Sequence, residues 1–470
     1  MENKLTKKYG LFTAICAVVG IIIGSGVFFK AQNVLQAANG KMGLALLIVA
    51  TMGAIMFVCA YSFSVLAGKY EKVNGLVDYA ECTVGTKYAY VVNWFTTMVY
   101  IPIIAGVLAW VSARYFCVLI GQSPFGTLHY IITAIFLVLV FAMNTLSPKL
   151  AGKFQVSTTI IKLVPLFAMG IIGTIFGLIN GTTLETFTTV ANTGGATEHS
   201  FFSGISAFAF AYEGWIVITT LNSEIKNSKK NLPIALVIGC LTAVGVYILY
   251  FVGIASTLTP DEIYTAPDIP KLAFARLFGS EFVGSVVYAF IVVSCLGTCN
   301  ALTMGCTRGV YSMAVRGQGI APRTFAKIND KTNMPTRSAI AGFVMSVFWV
   351  IEFILLFQLT YINTTPLADS KLFMSFTWEA DEIVILTMYT LYIPVFIAFM
   401  KKAEGVKAFN RFVAPALAIV ACLFCAYSAF VAYNKNGMIY NYLAAFAIIM
   451  FVGMIVYKGK PSLDFFKKEK

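Results

Sequence analysis

The sequence predicts an all-α polytopic membrane protein: twelve transmembrane helices in an inverted 5+5 repeat, with helices 1 and 6 broken in mid-membrane. Three observations carry this expectation. Hydrophobic residues make up 59% of the 470 and charged residues 12%, with a mean hydropathy of +0.81; a soluble domain averages about 25% charged. Gly24-Ser25-Gly26 interrupts the apolar run from Leu11 to Phe29. Glu213-Gly214 interrupts a second such run, from Phe201 to Asn222.

The apolar segments fall at 11–30, 42–67, 88–114, 127–146, 154–178, 201–222, 233–258, 282–307, 338–358, 380–400, 411–433 and 440–457. With the N-terminus inside, 26 of the 34 Lys and Arg lie on the cytoplasmic side, 7 lie opposite, and Lys162 is left within a span. That asymmetry places both termini in the cytoplasm of a cell membrane, plasma or inner. Lys4, Lys7 and Lys8 before the first run resemble a signal peptide. The run is too long, however, and no small-residue cleavage site comes after it, so it is expected to stay as helix 1. The chain reads as one transporter-like domain over 1–470: a first repeat at 11–179, a second at 201–400 and peripheral helices at 411–457.

The first break explains itself chemically. Two glycines around a serine, after the β-branched Ile21-Ile22-Ile23, are poor helix material. Counted from Leu11, the interruption lies roughly 20 Å along the span. Unpaired backbone is tolerated at that depth only against protein or a water-filled cavity. The free N–H groups at a half-helix start favour an anion, and a carboxylate-bearing solute is the natural guest. The second break carries a glutamate, which costs about 2.5–3.5 kcal/mol at a helix centre and so needs a cavity or a partner. Helix 1 runs outward and helix 6 inward. Two interrupted helices five spans apart and opposite in direction are what an inverted repeat produces.

Other chemistries find little support. The ten cysteines are scattered, mostly within spans, so no disulfide framework is implied; Cys117 at the end of span three is a candidate for cross-linking a partner, with ordinary packing as the alternative. Only His129 and His199 occur, both expected near the outer surface, so a zinc site is not expected. There is no GxxxxGK[ST] stretch for a nucleotide, and no nucleophile constellation for an enzyme. The charge of +13 is a topology signal rather than a nucleic-acid footprint. Asn180-Gly-Thr and Asn363-Thr-Thr are glycosylation triplets expected on the outer side.

Three stretches together carry a family resemblance: GIIIGSGVF in helix 1, SAFAFAYEGW continuing into EIKNSKKNLPIA in helix 6, and TRGVYSMAVRGQGIAP around the end of span eight. They resemble the amino acid–polyamine–organocation transporters, especially the L-type branch and its bacterial relatives. The resemblance covers most of the chain, strongest over 11–340 and thin after about 400. It implies the leucine-transporter fold and an amino acid substrate. It makes Ser25 and Gly26 backbone donors to the substrate carboxylate, and the carbonyls of Ile22, Phe210 and Glu213 acceptors for its ammonium. Phe210 falls at the family's aromatic gate. Gly24, Ala211 and Gly214 complete the expected substrate site, together with Asn300, which either lines the cavity or bonds a neighbouring helix.

Lys162 lies nine residues past Lys153, about 13.5 Å into span five and too deep for an easy snorkel. In the resembling transporters such a lysine stands in the place of a sodium ion and ties helix 1 to helix 8, which implies coupling or gating without sodium. Glu213 departs from many of them, which carry a small residue beside the GW. It selects a cationic substrate, carries a proton, or only bonds the free backbone of the break; these readings stay open. Glu352, Glu379, Asp381 and Glu382 are expected in a solvated outer vestibule, while topology and inner-gate contacts explain Arg308, Arg316 and Arg323. The expectation is therefore a secondary amino acid transporter of the exchanger type, sodium-independent. Proton-coupled or cationic amino acid or polyamine uptake is the alternative, and a channel is disfavoured. No cofactor, metal or obligatory protein partner is expected; the partners are the amino acid and the bilayer.

Overall fold

The computed structural model describes residues 5–24, 26–71, 73–190, 201–266, 268–357, 380–434 and 437–457. Ser25, His199, Asn363 and Glu379, and the side chain of Asp381, lie outside them. The described chain is helical, and its only β pairing is two isolated bridges. In chain order the elements are α1 (Leu11–Ile22), α2 (Gly26–Ala37), α3 (Met42–Lys69), α4 (Gly75–Thr83), α5 (Thr86–Leu119), α6 (Thr127–Leu146), α7 (Pro148–Asn180), α8 (Thr182–Thr188) and α9 (Phe201–Ala209). Two 3-10 segments, Phe210–Tyr212 and Trp215–Glu224, continue α9. Then come α10 (Ser228–Thr257), α11 (Pro260–Thr265), α12 (Ile269–Phe278), α13 (Glu281–Ala314), α14 (Pro322–Phe325), α15 (Thr336–Phe357), α16 (Ala380–Lys402), α17 (Phe409–Tyr433) and α18 (Met438–Val456).

Eleven of the described helical stretches are long and apolar enough to cross a membrane, and α1 is an apolar helix of 12 residues that is too short alone. Burial separates centre from rim. The most apolar stretch of α5 is 94% buried, whereas those of α15 and α18 are 22% and 17% buried. Large aliphatic side chains such as Ile131, Ile135, Val138 and Leu139 stand exposed along α6. A face of that kind is stable only against lipid, and this is a multi-pass membrane protein.

Helix α13 runs on to Ala314, past the expected end near 307, because Arg308 is not at a lipid boundary. It is buried and bonds both carboxylate oxygens of Glu224 through Nε and Nη2. Arg316 likewise pairs with the buried Asp78. The chain start joins the same cluster. The N–H groups of Lys8 and Tyr9 donate to the Glu224 carbonyl at 2.7 and 3.0 Å, Lys226 N–H donates to the Tyr9 carbonyl at 2.9 Å, and Lys8 Nζ reaches the Glu224 carboxylate at 3.3 Å. A helix can outrun its hydrophobic length when protein, not lipid, surrounds its polar end.

One expectation for the opposite end needs correction. Glu382 is not in a solvated vestibule: it is 5% exposed, ion-paired with the equally buried Lys30 and bonded by the Tyr433 hydroxyl at 2.7 Å. His129 is fully buried, with Nε2 2.9 Å from the Trp110 carbonyl. Both polar side chains escape solvent because a specific partner meets them inside.

Close backbone packing holds the frame. A Cβ on Gly177 would lie 2.1 Å from the Ser256 carbonyl, and one on Gly253 2.2 Å from the Met169 carbonyl. The α7–α10 seam is thus built of small residues, as expected where no hydrophobic force drives helices together.

Candidate functional site

Helix α1 stops after Ile22, and Ile23 leaves helical geometry at φ −77° and ψ 89°. The last carbonyls of a helix have no internal partners and carry partial negative charge. Here they are met from two directions. Lys162 Nζ, fully buried on α7, donates to the carbonyls of Gly20 (2.9 Å), Ile23 (2.5 Å) and Ser294 (3.0 Å), with the Thr298 hydroxyl at 3.2 Å. From α13, Thr298 Oγ1 donates toward the same Gly20 and Ile23 carbonyls at 2.9 and 3.2 Å. Ser294 Oγ lies 3.3 and 3.2 Å from the Ile23 and Gly24 carbonyls. The lysine's partners are carbonyls and hydroxyls, not a carboxylate, so its charge complements the helix end. One turn back, Thr159 Oγ1 donates to the Cys16 carbonyl at 2.9 Å, extending the same α7 face.

The second break spans Phe210 to Trp215. A 3-10 turn ends at Tyr212, Glu213 is extended (φ −95°, ψ 171°), and Gly214 is left-handed at φ +91°. Only a residue without a Cβ suits that φ, and a Cβ there would sit 2.1 Å from Ile21 Cγ2. Glu213 is buried. Tyr100 Oη donates to its Oε1, and its Oε2 makes no well-aligned hydrogen bond among the described residues.

The two breaks touch. A Cβ on Gly26 would lie 2.7 Å from Ala211 Cα and 3.2 Å from the Phe210 ring. The Tyr247 hydroxyl, from α10, is 2.8 Å from both the Ile22 and the Ala211 carbonyls. Between the breaks lies a small cavity lined by Ile21, Ile22, Gly24, Gly26, Ile104, Leu108, Phe210, Glu213, Gly214, Thr298 and Leu302. Its walls are apolar, aliphatic but for the Phe210 ring, except for Glu213, Thr298 and the broken backbone.

The site thus gathers Ile22, Gly24, Gly26, Phe210, Glu213 and Gly214 around one cavity, with Ala211 packed behind Gly26 and Lys162 behind the first break. Asn300 is not in the lining. Its amide donates to Gln155 Oε1 (2.9 Å) and the Ala151 carbonyl (3.2 Å) and accepts from Asn144 (2.8 Å), so it joins α6, α7 and α13. The Ile22 carbonyl, expected to take a substrate ammonium, already accepts from Gly24 N–H at 2.9 Å and lies against Tyr247. The Phe210 carbonyl accepts from Glu213 N–H at 3.4 Å. Phe210 also lies under Lys30, whose ammonium is 5.9 Å from the ring centre.

Sequence reasoning missed Tyr100, Tyr247, Ser294, Thr298 and Lys30. Hydroxyls inside apolar helices carry no periodic signal. The one usable hint was Ser294 and Thr298, which lie one turn apart on the same helix.

A membrane protein with two facing broken helices around a small cavity is built to pass a solute. The amino acid permease family model matches residues 9–455, and the chain belongs to that family. It is an amino acid transporter and not an enzyme. Among its relatives is the serine/threonine exchanger SteT of Bacillus subtilis (strain 168), 28% identical over 410 residues, 86% of each chain. The b(0,+)-type amino acid transporter 1 of Mus musculus is 26% identical over 74% of this chain and 71% of its own. The human cystine/glutamate transporter is 25% identical over 72% and 66%.

Proposed function

We propose that the protein is a sodium-independent amino acid exchanger of the cell membrane, working by alternating access with both termini in the cytoplasm. The observation that carries this is the Lys162 ammonium seated among the carbonyls of the first break, where its fixed charge takes the role a bound monovalent cation would otherwise fill. Two relatives that carry an exchanger's or a paired-substrate name, the serine/threonine exchanger and the cystine/glutamate transporter, support exchange. In this reading twelve helices form two inverted repeats, at 11–179 and 201–400, with 411–457 peripheral.

The substrate carboxylate caps the N-terminus of α2 at Ser25 and Gly26, where free N–H groups and the helix dipole favour an anion. Its ammonium turns to the broken backbone of Ile22, Phe210 and Glu213, displacing the bonds that the Ile22 and Phe210 carbonyls make. Phe210 closes over it, and the two repeats then rock about the bound solute. Proton-coupled uptake is the second reading, favoured by the spare oxygen of Glu213.

Counterflow in proteoliposomes separates the two. Exchange predicts saturable labelled amino acid entry only against internal amino acid, unchanged when sodium replaces an inert cation. Net accumulation driven by a pH gradient into empty vesicles would establish the second reading instead, and strict sodium dependence would end both.

A further inference from the structure

Among the described residues that wall the cavity, one group is left short of a partner. Glu213 is 4% exposed and lines the cavity; Tyr100 and the Gly214 backbone N–H hold its carboxylate, yet Oε2 makes no well-aligned hydrogen bond among the described residues. A buried carboxylate oxygen without a donor is costly, so an occupant that brings a donor gains more here than an apolar one of equal size. The other side chains of the wall are Ile21, Ile22, Ile104, Leu108, Phe210, Leu302 and Thr298, and the Thr298 hydroxyl is already committed to α1.

Tyr100 is itself aimed by an irregularity. It closes a π-helical turn, Thr96–Tyr100, inside α5. Such a turn inserts one residue and rotates the helix beyond it. Two residues on, Pro102 has no N–H to give the Met98 carbonyl, and the Trp349 indole from α15 donates there instead at 2.6 Å. The turn is therefore braced from outside, and Tyr100 is fully buried.

We propose that Tyr100 is a positioning residue that holds Glu213 by one oxygen so that the other reads the substrate side chain, and that the site favours amino acids whose side chain ends in a hydrogen-bond donor. This rests on the transport reading above. It is tested with matched pairs in counterflow by the purified full chain: lysine against norleucine, and homoserine against 2-aminobutyrate. Each pair differs only by the donor.

The wild type is expected to favour the donor-bearing member by about tenfold in KM, the worth of one charge-assisted bond. Glu213→Gln keeps the shape and should collapse the preference for lysine over norleucine to within about twofold in the KM ratio. Tyr100→Phe should cut the same KM ratio several-fold. A purely structural Tyr100 would instead lower both members of each pair alike, and that result overturns the proposal. So does a wild type that prefers the apolar members, or an unchanged ratio in Glu213→Gln, which decides alone should Tyr100→Phe not fold. If no amino acid counterflows at all, the transport reading falls first and this inference with it.

Discussion

The two breaks are alike in position and opposite in how their polar atoms are met. At the first, a lysine and two hydroxyls from α7 and α13 crowd the freed carbonyls of Gly20, Ile23 and Gly24. At the second, one carboxylate is held by one phenol and the Gly214 N–H and keeps an oxygen without a well-aligned bond. A fully satisfied polar network is rigid, while a partly satisfied one is open to a ligand. The contrast teaches that the same device, a helix broken in mid-membrane, serves as a fixed anchor on one side and as an adjustable surface on the other.

The sharpest way to break that contrast is Lys162→Ala. It removes three charge-assisted bonds to buried carbonyls, each worth about 1.5–3 kcal/mol, so initial-rate exchange should fall about a hundredfold or more. Sodium should not restore it, because the vacated space lacks a complete oxygen cage. Rates equal to wild type in proteoliposomes would show that the first break does not depend on its anchor.

Next comes the contact between the breaks. Gly26→Val places a branched side chain where even a Cβ is 2.7 Å from Ala211 Cα. Overpacking of about 1–3 kcal/mol predicts about a fivefold to hundredfold loss of substrate affinity, with the protein still inserted and monodisperse. Ligand-induced thermal shift measures it, and near-normal affinity would mean that the breaks can separate freely.

Phe210→Ala tests the adjustable side. Its ring lines the cavity beneath Lys30, and if it serves as the proposed gate, turnover should drop several-fold while equilibrium affinity changes by less. A loss of affinity at unchanged saturating rate would make Phe210 a contact instead of a gate.

The smallest effect serves as a control away from both breaks. Between α10 and α13, Arg276 holds the Glu262 carboxyl down to about 2 by a two-bond ion pair, with help from the Thr259 cap. A depressed carboxyl stabilises the fold above its ordinary value near 4.5, and that contribution is lost as pH falls toward 2. The pair is partly exposed, so the change is small. The melting-temperature gap between wild type and Glu262→Gln should narrow from about pH 6 to about pH 3, with transport unaffected at neutral pH.

Much of this was legible because glycines and charges stand out in an apolar text. Gly24 and Gly26, Glu213-Gly214 and Lys162 are each anomalous for lipid, and each lies at or directly behind the site. Glu382 was equally visible but misjudged, since its partner Lys30 is 352 residues away and no local pattern links them. Asn300 was visible too, and its amide is spent on Asn144, Ala151 and Gln155. Tyr100 and Tyr247 could not be told from other aromatic residues, of which there are 23 tyrosines alone. Their importance comes from a π-turn and from a gap between two carbonyls, and neither has a sequence signature.

The segment before α1 has a consequence for how the molecule is made. Thr6 bonds the Asn333 side chain through both its N–H and its hydroxyl, at 3.0 Å each, and Lys8 Nζ donates to the Asn333 carbonyl at 3.2 Å. Tyr9 bridges to Ile225. The partners of these residues are synthesised more than two hundred and more than three hundred residues after them. This segment must therefore wait, undocked, until the chain as far as Asn333 has been made.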